Sequence, residues 1–467
     1  MVNTIPGSSG PDLLNGTSDA DLFFPQTGND TIFAGAGNDT IWAALGNHSI
    51  DLGTGADEVH LADGDSVVRA DSDAGPGALG DIIVASAGNN TVYAGGGANF
   101  ISLGTGNDLV YWVEGVGGEI HGGGGSDTLD MSRAAQGHEI YGAGGGIAGA
   151  TVYYDGFEKL VATAFDDTIW GGPATIDGGA GNDIVHAFAG TTQVLGGTGN
   201  DILVNDSASA MTLDGGIGND FIAGGSGRDT VFGGAGDDVI RLGNGGSEAH
   251  GGADNDIIIG GTGNDTLEGG TGSNYLNAGD GNDVLVYGGG TDVAEGGAGN
   301  DTFIGFTAGK VDGGAGFDTL DLSGTTAGMS IDLGQAYSPA FAFNLVSIEG
   351  VKAGSGDDTI TGSGVGNLLD GGAGNDEITG GAANDTIVGG AGDDVMTGGG
   401  GANTFAFSAG FGSDLILDFK GGVDKLEFDG ITAGQITWTA DGEISVGGNH
   451  ITVLADRDLT ASDFVFA

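Results

Sequence analysis

Apolar and polar residues recur with a period of nine between Gly215 and Ile304. Ten nonapeptides follow one another without a gap, from GGIGNDFIA at residue 215 to GGAGNDTFI at residue 296. The eighth residue of each is apolar, the sixth is usually Asp, and glycine is frequent at places one, two and four. This pattern predicts a three-residue strand at places seven to nine whose central side chain points inward.

A nine-residue unit is too short to bury its own apolar side chain, so it must stack on its neighbours. The glycines permit positive φ angles and tight turns. They also interrupt any run long enough for a helix. The sequence therefore predicts an all-β solenoid of parallel strands, with ordinary strands in two inserts at Thr151–Tyr154 and Met329–Leu333.

The same period recurs on both sides of this run. Asp, Asn or His residues are spaced by nine in an N-terminal series, a central patch and a C-terminal array: Asp30, Asp39, His48 and Asp57; Asn90, Asn99 and Asp108; and Asp358, Asn367, Asp376, Asp385, Asp394 and Asn403. Further repeat positions occur at irregular spacing, at Asp127, Asp167, Asp183, Asp201 and Asp318.

A longer repeat is superimposed on the short one. GGGGSDTLDMS at 122–132 matches GGAGFDTLDLS at 313–323, and the same offset of 191 residues relates Glu158 to Glu349. Because the spacing persists through an insert of different sequence, we infer an internal duplication of a unit made of nonapeptide, insert and nonapeptide array.

Composition narrows the class of protein. The chain has 65 Asp plus Glu against ten Lys plus Arg, a formal charge of −55, and 105 glycines but only six prolines. Few prolines and a nine-residue period exclude collagen. A hydrophobic content of 39%, placed regularly, argues against disorder. Nucleic acid would be repelled, so no nucleic-acid partner is expected.

Targeting signals are sparse. No cysteine is present, so neither a disulfide framework nor thiol chemistry is expected. The N-terminal MVNTIPGSSGPDLL has neither the basic stretch nor the apolar core of a classical signal peptide. No apolar run approaches the ~20 residues of a membrane helix, so a soluble chain without a membrane span is expected.

The repeated Asp indicates a metal. Calcium prefers six to eight oxygen ligands from carboxylates and carbonyls. In a solenoid with coils ~4.8 Å apart, uncompensated carboxylates would repel one another along each edge. Calcium ions between successive coils would remove this repulsion and would couple binding to folding.

These nonapeptides resemble the hemolysin-type repeats of RTX proteins, a family defined by this nonapeptide motif and by its binding of Ca²⁺. The resemblance implies a parallel β-roll in which two nonapeptides make one coil, so residues 18 apart share an edge. One edge then has Asp220, Asp238 and Asp256 with a gap at Asn274, and the other has Asp265, Asp283 and Asp301 with a gap at Ser247. The implied calcium ligands are Asp39, Asp57, Asp183, Asp201, Asp220, Asp229, Asp238, Asp256, Asp265, Asp283, Asp292, Asp301, Asp358, Asp376, Asp385 and Asp394.

The C-terminal part carries a second resemblance. Residues 403–430, NTFAFSAGFGSDLILDFKGGVDKLEFDG, are similar to the segment that closes the β-roll in serralysin-type metalloproteases. The final LTASDFVFA resembles an uncleaved signal read by type I secretion machinery. These likenesses imply export by a type I apparatus to the cell surface or medium. Residues 431–467 also fit an ordinary β-strand cap, which is compatible with export.

We divide the chain accordingly. The expected parts are a degenerate N-terminal solenoid at 1–121, an insert-containing unit at 122–214, a regular roll at 215–304, a second insert at 305–352 that duplicates 122–172, a second roll at 353–406, and a cap with secretion signal at 407–467.

Motifs of known enzymes are missing or incomplete. The nearest string to a zinc-binding HExxH is His138–Gly142, which lacks the second His. No GxSxG elbow occurs, so His121 and its following glycines read as the start of a nonapeptide. His48 reads as a decayed repeat position. A cluster of Tyr153, Tyr154 and Lys159 is more readily explained by strand packing than by catalysis.

We therefore expect a secreted calcium-binding protein without catalytic activity, used as a structural, surface-layer, matrix or adhesive component. Its expected partners are calcium ions, the type I apparatus and cell-surface or extracellular polysaccharide. The alternative is a calcium-dependent polysaccharide-modifying enzyme, an epimerase or lyase, with its site in an irregular section. Trp42, Trp112 and Trp170 are candidates for exposed sugar-stacking platforms, although their repeat positions also fit the core.

Overall fold

The computed structural model describes residues 2–70, 79–113, 118–142, 146–147, 152–335 and 343–466. The chain forms two compact units, Met1–Arg241 and Leu242–Ala467. Each unit is a solenoid of short, mostly parallel strands, so the prediction of an all-β parallel solenoid is confirmed. No helix among the described residues has the length and apolar character needed to cross a lipid bilayer.

Most strands are three to six residues long, because each supplies one straight segment of a coil. In the first unit they are β1 (Asn3–Pro6), β2 (Leu13–Asn15), β3 (Asp21–Gln26), β4 (Thr31–Phe33), β5 (Thr40–Ala43), β6 (Ser49–Asp51), β7 (Glu58–Asp63), β8 (Val67–Arg69), β9 (Leu79–Ala87), β10 (Thr91–Tyr93), β11 (Ala98–Ser102), β12 (Leu109–Tyr111), β13 (Gly118–His121), β14 (Thr128–Asp130), β15 (Glu139–Tyr141), β16 (Gly146–Ile147), β17 (Val152–Asp155), β18 (Lys159–Val161), β19 (Thr168–Trp170), β20 (Thr175–Ala180), β21 (Ile184–Ala187), β22 (Gln193–Thr198), β23 (Ile202–Asn205), β24 (Thr212–Ile217), β25 (Phe221–Ala223), β26 (Thr230–Ala235) and β27 (Val239–Gly243).

Strand β27 begins in the first unit and ends in the second, which continues with strands of similar length. Its strands are β28 (Glu248–Ala253), β29 (Ile257–Thr262), β30 (Thr266–Gly270), β31 (Tyr275–Asp280), β32 (Val284–Val286), β33 (Val293–Ala298), β34 (Thr302–Ile304), β35 (Gly309–Ala315), β36 (Thr319–Asp321), β37 (Ser330–Asp332), β38 (Phe343–Val346), β39 (Gly350–Lys352), β40 (Thr359–Thr361), β41 (Leu368–Asp370), β42 (Glu377–Gly381), β43 (Thr386–Val388), β44 (Val395–Gly399), β45 (Thr404–Phe407), β46 (Ser413–Phe419), β47 (Lys425–Phe428), β48 (Ile436–Trp438), β49 (Glu443–Val446), β50 (Asn449–Ala455) and β51 (Phe464–Phe466). Two 3₁₀ turns lie at Ala433–Gln435 and Ala461–Asp463.

In the first unit, strands alternate between two sheets, so two nonapeptides complete one coil. Strands β2, β4, β6 and β8 pair in parallel in one sheet, with Leu13 opposite Thr31 and Thr31 opposite Ser49, 18 residues apart. Strands β1, β3, β5 and β7 pair in the other sheet. The central residue of each strand points inward, and Ile32, Ile50 and Val68 are fully buried.

The second unit follows the same plan and ends in a cap. Strands β40, β42, β44 and β46 are parallel, and β50 adds to β46 before β49 and β48 turn back antiparallel. The final strand β51 pairs with β47. This closing sheet agrees with the expected C-terminal β cap.

Both inserts begin in the same way. The N–H of Asp127 donates to Glu158 Oε2 at 2.7 Å, and the N–H of Asp318 donates to Glu349 Oε2 at 3.0 Å. Across each insert a glutamate thus accepts the hydrogen bond that a repeat aspartate accepts elsewhere. The 191-residue offset therefore reflects equivalent structure as well as similar sequence.

The insert strands lie close to where the sequence places them. Strand β17 covers Val152–Asp155 and β37 covers Ser330–Asp332, while Thr151 lies outside the described residues. In the first unit, β16 pairs antiparallel with both β15 and β17. One coil therefore places three strands in its sheet instead of one.

Candidate metal centres

The sixteen aspartates predicted as calcium ligands are all buried, and each lies next to the start of a strand. None is more than 2% exposed. Their positions are dictated by the repeat, because the apolar residue at place eight points inward and fixes the orientation of the Asp two residues earlier. Their ligand role remains a prediction.

One oxygen of each carboxylate serves the backbone. The N–H of Asp265 donates to Asp283 Oδ1 at 2.7 Å, and the N–H of Asp283 donates to Asp301 Oδ1 at 2.8 Å. The contact recurs at 2.7–2.9 Å in the pairs Asp39–Asp57, Asp183–Asp201, Asp358–Asp376 and Asp376–Asp394. The edge of the coil stack is therefore a ladder of charge-assisted hydrogen bonds.

The other oxygen, Oδ2, lies against the glycine five residues earlier. At Gly215 a Cβ atom would collide with Asp220 Oδ2, and it would also come within 2.6 Å of the carbonyl oxygen of Gly233 in the next coil. Gly296 has the same surroundings, Asp301 Oδ2 and the Gly313 carbonyl. Glycine is required here because two oxygens occupy the space of a side chain.

Within the described part of the chain, many of these buried Oδ2 atoms accept no hydrogen bond. They belong to Asp39, Asp108, Asp127, Asp183, Asp201, Asp220, Asp265, Asp283, Asp292, Asp301, Asp318, Asp358, Asp376, Asp385, Asp394 and Asp414. A buried ionised oxygen without a partner is strongly destabilising. Carboxylate and carbonyl oxygens side by side are ligands that Ca²⁺ prefers, so the residues fit this cation.

Burial also changes the protonation of these carboxyl groups when no cation compensates them. Burial, with the like charges of Asp201, Asp167 and Asp166, raises the pKa of Asp183 to about 8. Burial and neighbouring Asp residues raise the pKa of Asp376 to about 7 and that of Asp301 to about 6. In each case the ladder hydrogen bond lowers the pKa but does not offset burial.

Interruptions of the ladder have a clear chemical basis. At Gly269 the Asn274 Nδ2 atom stands where Asp Oδ2 stands elsewhere, and Asn403 Nδ2 does the same at Gly398. An amide NH₂ group donates hydrogen bonds and cannot ligate a cation. Ser247 keeps the strand register but offers no carboxylate, and its N–H donates to Asp265 Oδ1 at 2.6 Å.

His48 occupies a ladder position as a buried imidazole. Its Nδ1 atom lies 3.2 Å from Asp30 Oδ2, and its Nε2 atom lies 3.3 Å from the carbonyl oxygen of Ala44. The side chain therefore stands between a carboxylate and a carbonyl. This placement agrees with the interpretation of His48 as an altered repeat position.

Four ladder aspartates had no assigned role in the sequence analysis. One of them is Asp424, whose Oδ1 accepts the N–H of Asn403 at 2.8 Å across 21 residues. Asp21 donates its N–H to Asp39 Oδ1, while Asp81 and Asp414 accept from Asp57 and Asp394. Asp21 could have been found, because it lies 18 residues before Asp39. Asp81 and Asp414 lie in coils of 24 and 20 residues, so a fixed period misses them. Asp30, Asp108, Asp127, Asp167 and Asp318 had been recognised only as repeat positions.

No group of three His, Asp or Glu side chains in the described ranges converges as a metal-binding cluster. Neighbouring carboxylates are instead spaced along the coil axis. A cation at any one position would therefore draw several of its oxygens from the backbone, as the Gly215 surroundings allow.

The remaining candidates from the sequence do not assemble into one site. Tyr154 is buried at 2% exposure, whereas its neighbour Tyr153 faces out. Lys159 lies in the sheet that does not contain these tyrosines, and its Nζ atom is 3.4 Å from Asp177 Oδ2. Trp112 is 3% exposed, so it is a core residue and not a platform. His121 has its Nδ1 atom 2.7 Å from Asp155 Oδ1.

Comparison with protein families gives a match to the model described as the RTX calcium-binding nonapeptide repeat (four copies). The matched residues are 2–32, 24–59, 33–68, 77–110, 154–174, 174–203, 214–247, 250–285, 286–307, 370–405 and 379–416. No curated protein matches the chain significantly.

Two solved structures resemble the chain distantly. The extracellular lipase LipA from Serratia marcescens is 23% identical with a TM-score of 0.21, and the match covers 46% of this chain and 40% of that one. The chain thus spans less than half of the lipase. A hyperactive, Ca²⁺-dependent, β-helical antifreeze protein from an Antarctic bacterium is 18% identical with a TM-score of 0.12, covering 83% of each chain. Both likenesses are too distant to bear on activity.

Proposed function

Since the matched repeats cover more than half of its 467 residues, the chain belongs to the RTX calcium-binding nonapeptide-repeat family, and we propose that it is a secreted protein whose solenoid folds when it binds Ca²⁺ outside the cell. The calcium concentration there suits the ~10⁻⁴–10⁻³ M affinities of extracellular modules. In the cell, the calcium-free chain would stay unfolded and suitable for export by a type I apparatus.

The observation that carries this proposal is the pairing of a buried Asp Oδ2 with a carbonyl oxygen beside a glycine, repeated coil after coil. The residues that would hold the ions are the predicted ladder aspartates, joined by carbonyls such as that of Gly233. The cation would supply positive charge where the fold buries negative charge. The ladder hydrogen bonds through Oδ1 hold each carboxylate in place for this.

We propose a structural, surface-layer, matrix or adhesive role, with extracellular polysaccharide as partner, in preference to catalysis. The metal ladder is distributed along both units and is not concentrated at one cleft. The Tyr and Lys residues that had been the best candidates for a catalytic cluster point in different directions. The competing function is a calcium-dependent polysaccharide epimerase or lyase.

Circular dichroism of the full chain, with and without Ca²⁺, tests the folding proposal. We expect β-sheet signal and a cooperative melting transition with Ca²⁺, and loss of both in EDTA. An unchanged spectrum and melting temperature in EDTA would contradict it. The competing function is tested by measuring turnover of neutral and uronate-containing polysaccharides with the calcium-loaded protein. Reproducible cleavage or epimerisation would show that the protein is an enzyme and would overturn the structural role.

A further inference from the structure

A second repeat in the first unit is visible only in the strand register. Strands β5, β7, β9 and β11 lie side by side and contribute TIW, EVH, IIV and FIS at matched positions. Strands β19, β21, β23 and β25 contribute TIW, IVH, ILV and FIA in the same order. Nine of these twelve positions carry the same residue. We call the two surfaces the first and second Trp faces.

Both faces display the same aromatic pair on the outside of the sheet. Trp42 stacks on His60 with ring centroids 3.9 Å apart, and Trp170 stacks on His186 at 4.3 Å, with ring planes within 10° and 2° of parallel. Trp42 is 48% and Trp170 36% exposed. Each stacked pair is therefore ordered, with one face of the Trp ring covered by His and the exposed remainder of the ring accessible to a ligand.

Each histidine is held by a carboxylate, but from a different place. His60 Nε2 lies 2.7 Å from Glu58 Oε1 on the same strand, whereas His186 Nδ1 lies 2.7 Å from Asp206 Oδ2 in a neighbouring coil. The same Trp–His arrangement is thus reached with two different supports. Simple inheritance of a repeat explains the shared residues, but it does not explain why both histidines are anchored.

The first Trp face borders a groove of about 300 Å³. Its lining includes Trp42, His60 and Val84 together with the small residues Ala44, Ala62 and Ser86. The lining combines apolar surface with a few polar groups, as ligand sites do. Exposed Ile82 lengthens the apolar surface beyond what an isolated surface residue would provide.

We propose that the two Trp faces are binding sites for an uncharged polysaccharide, which deepens the adhesive role proposed above and rests on it. A sugar ring offers C–H groups to an aromatic surface and hydroxyls to the anchored His and carboxylate. The chain has a formal charge of −55, and the anchoring groups are carboxylates. An acidic polymer would therefore be repelled, whereas a neutral one would not.

The duplication itself favours a repetitive ligand. Four strands at a spacing of ~4.8 Å give each face a length of roughly 15 Å, enough for a short stretch of sugar chain. Two such faces on one unit can engage one polymer, and the second contact is then favoured by high effective concentration. A polysaccharide offers the same epitope many times, so two similar faces can each engage it.

The test measures binding of the calcium-loaded full chain to laminarin, mannan and dextran, with alginate as the acidic comparison, by affinity electrophoresis and calorimetry. We expect binding to at least one neutral polymer. Trp42→Ala and Trp170→Ala should each weaken it about 100-fold, because loss of either face removes the avidity of two-face binding, and the double variant should bind no polymer measurably. Trp438→Ala is the matched control, because Trp438 is 40% exposed in the C-terminal cap and should leave binding unchanged.

Aromatic replacements guard against misfolding. Trp42→Phe and Trp170→Phe preserve a stacking ring and should retain most binding, while circular dichroism confirms the calcium-dependent fold of every variant. The proposal fails if no neutral polymer binds or if the double Ala variant binds like the wild type. It also fails if the Trp substitutions abolish binding to alginate and not to a neutral polymer. Calcium-dependent folding without saccharide binding would refute this inference alone and leave the proposed calcium function intact.

Discussion

A ladder aspartate uses its two carboxylate oxygens differently, and this determines the effect of replacing it. Asp283 Oδ1 accepts the N–H of Asp265 at 2.7 Å, while Oδ2 is the oxygen available to a cation. Asparagine can keep the first contact, as Asn274 does by accepting the N–H of Asp256 at 2.9 Å. Asparagine has no carboxylate Oδ2 to offer a cation. A change from Asp to Asn therefore keeps the hydrogen-bond ladder and removes the metal ligand.

We predict that Asp283→Asn has opposite effects with and without calcium. Without Ca²⁺ the folding free energy, which is unfavourable for the wild type, should be less unfavourable in the variant, because a buried charge is removed. In saturating Ca²⁺ the variant should be less stable than the wild type, by about 1–3 kcal/mol, because a charged ligand is lost. Urea unfolding measures the effect in Ca²⁺, and folding driven by the osmolyte trimethylamine N-oxide measures it in EDTA. Asp429→Asn, an equal charge change at an exposed residue, is the control, and a shift of the same sign in both conditions would contradict the ligand role.

Proton binding gives a second prediction at this scale. Burial raises the pKa of Asp183 and Asp414 to about 8, above the ordinary 3.8. The calcium-free folded chain then holds protons that the unfolded chain has released. Its stability should fall as pH rises from about 4 to about 8, since the unfolded state binds fewer protons across this range.

Because the calcium-free chain is expected to be unfolded in buffer, its folding is driven with the osmolyte trimethylamine N-oxide, and the osmolyte concentration at the midpoint should increase with pH across that range. In saturating Ca²⁺ the urea midpoint should change little above neutral pH, because a bound cation keeps the carboxylates ionised. A calcium-free osmolyte midpoint that decreases with pH would show that these carboxyl groups are not buried as described.

At the scale of elements, the inserts depend on one glutamate each. Glu349 Oε2 accepts the N–H of Asp318 at 3.0 Å, across a gap of 31 residues. Glu349→Ala should leave this buried N–H without its partner, at a cost of about 1–3 kcal/mol. Glu349→Gln retains an acceptor and should be tolerated. Amide exchange at Asp318 should accelerate in the Ala variant only, and equal exchange in both variants would contradict the role of this contact.

The sequence predicts these elements well where the coil length is constant. Between Gly215 and Ile304 the nonapeptide locates each strand and each inward residue, because its period sets which side chains face the core. The assignment fails where coils lengthen. Asp81 follows Asp57 by 24 residues, and Asp414 follows Asp394 by 20, so a count of nine or eighteen loses the position even though the hydrogen bond is kept.

The two Trp faces show the same limit. Trp42 and His60 are 18 residues apart, whereas Trp170 and His186 are 16 apart. No single offset aligns the two faces, and only strand pairing does so. Burial, by contrast, follows the repeat count: Trp42 and Trp170 lie three residues after a ladder Asp and face outward, whereas Trp112 lies four residues after Asp108 and belongs to the core.

For the whole molecule, the decisive quantity is a formal charge of −55 with many carboxylates inside the fold. Salt screens charges at the surface, but it acts weakly on buried ones. A divalent ion that supplies direct contacts to Oδ2 and carbonyl oxygens acts where screening does not. Folding should therefore respond to the identity of the cation more than to ionic strength.

We predict that Ca²⁺ compacts the chain and that neither Mg²⁺ nor NaCl at equal ionic strength replaces it. An unfolded chain of 467 residues has a radius of gyration of ~80 Å, which small-angle scattering would see collapse on folding. Mg²⁺ demands a near-octahedral shell and gives up water reluctantly, whereas Ca²⁺ accepts irregular sets of oxygens. The ladder offers an irregular set, with one carboxylate oxygen and a carbonyl beside each glycine. Equal compaction by NaCl would mean that general screening suffices and that the orphaned oxygens need no ligand, while equal compaction by Mg²⁺ would remove the argument for calcium.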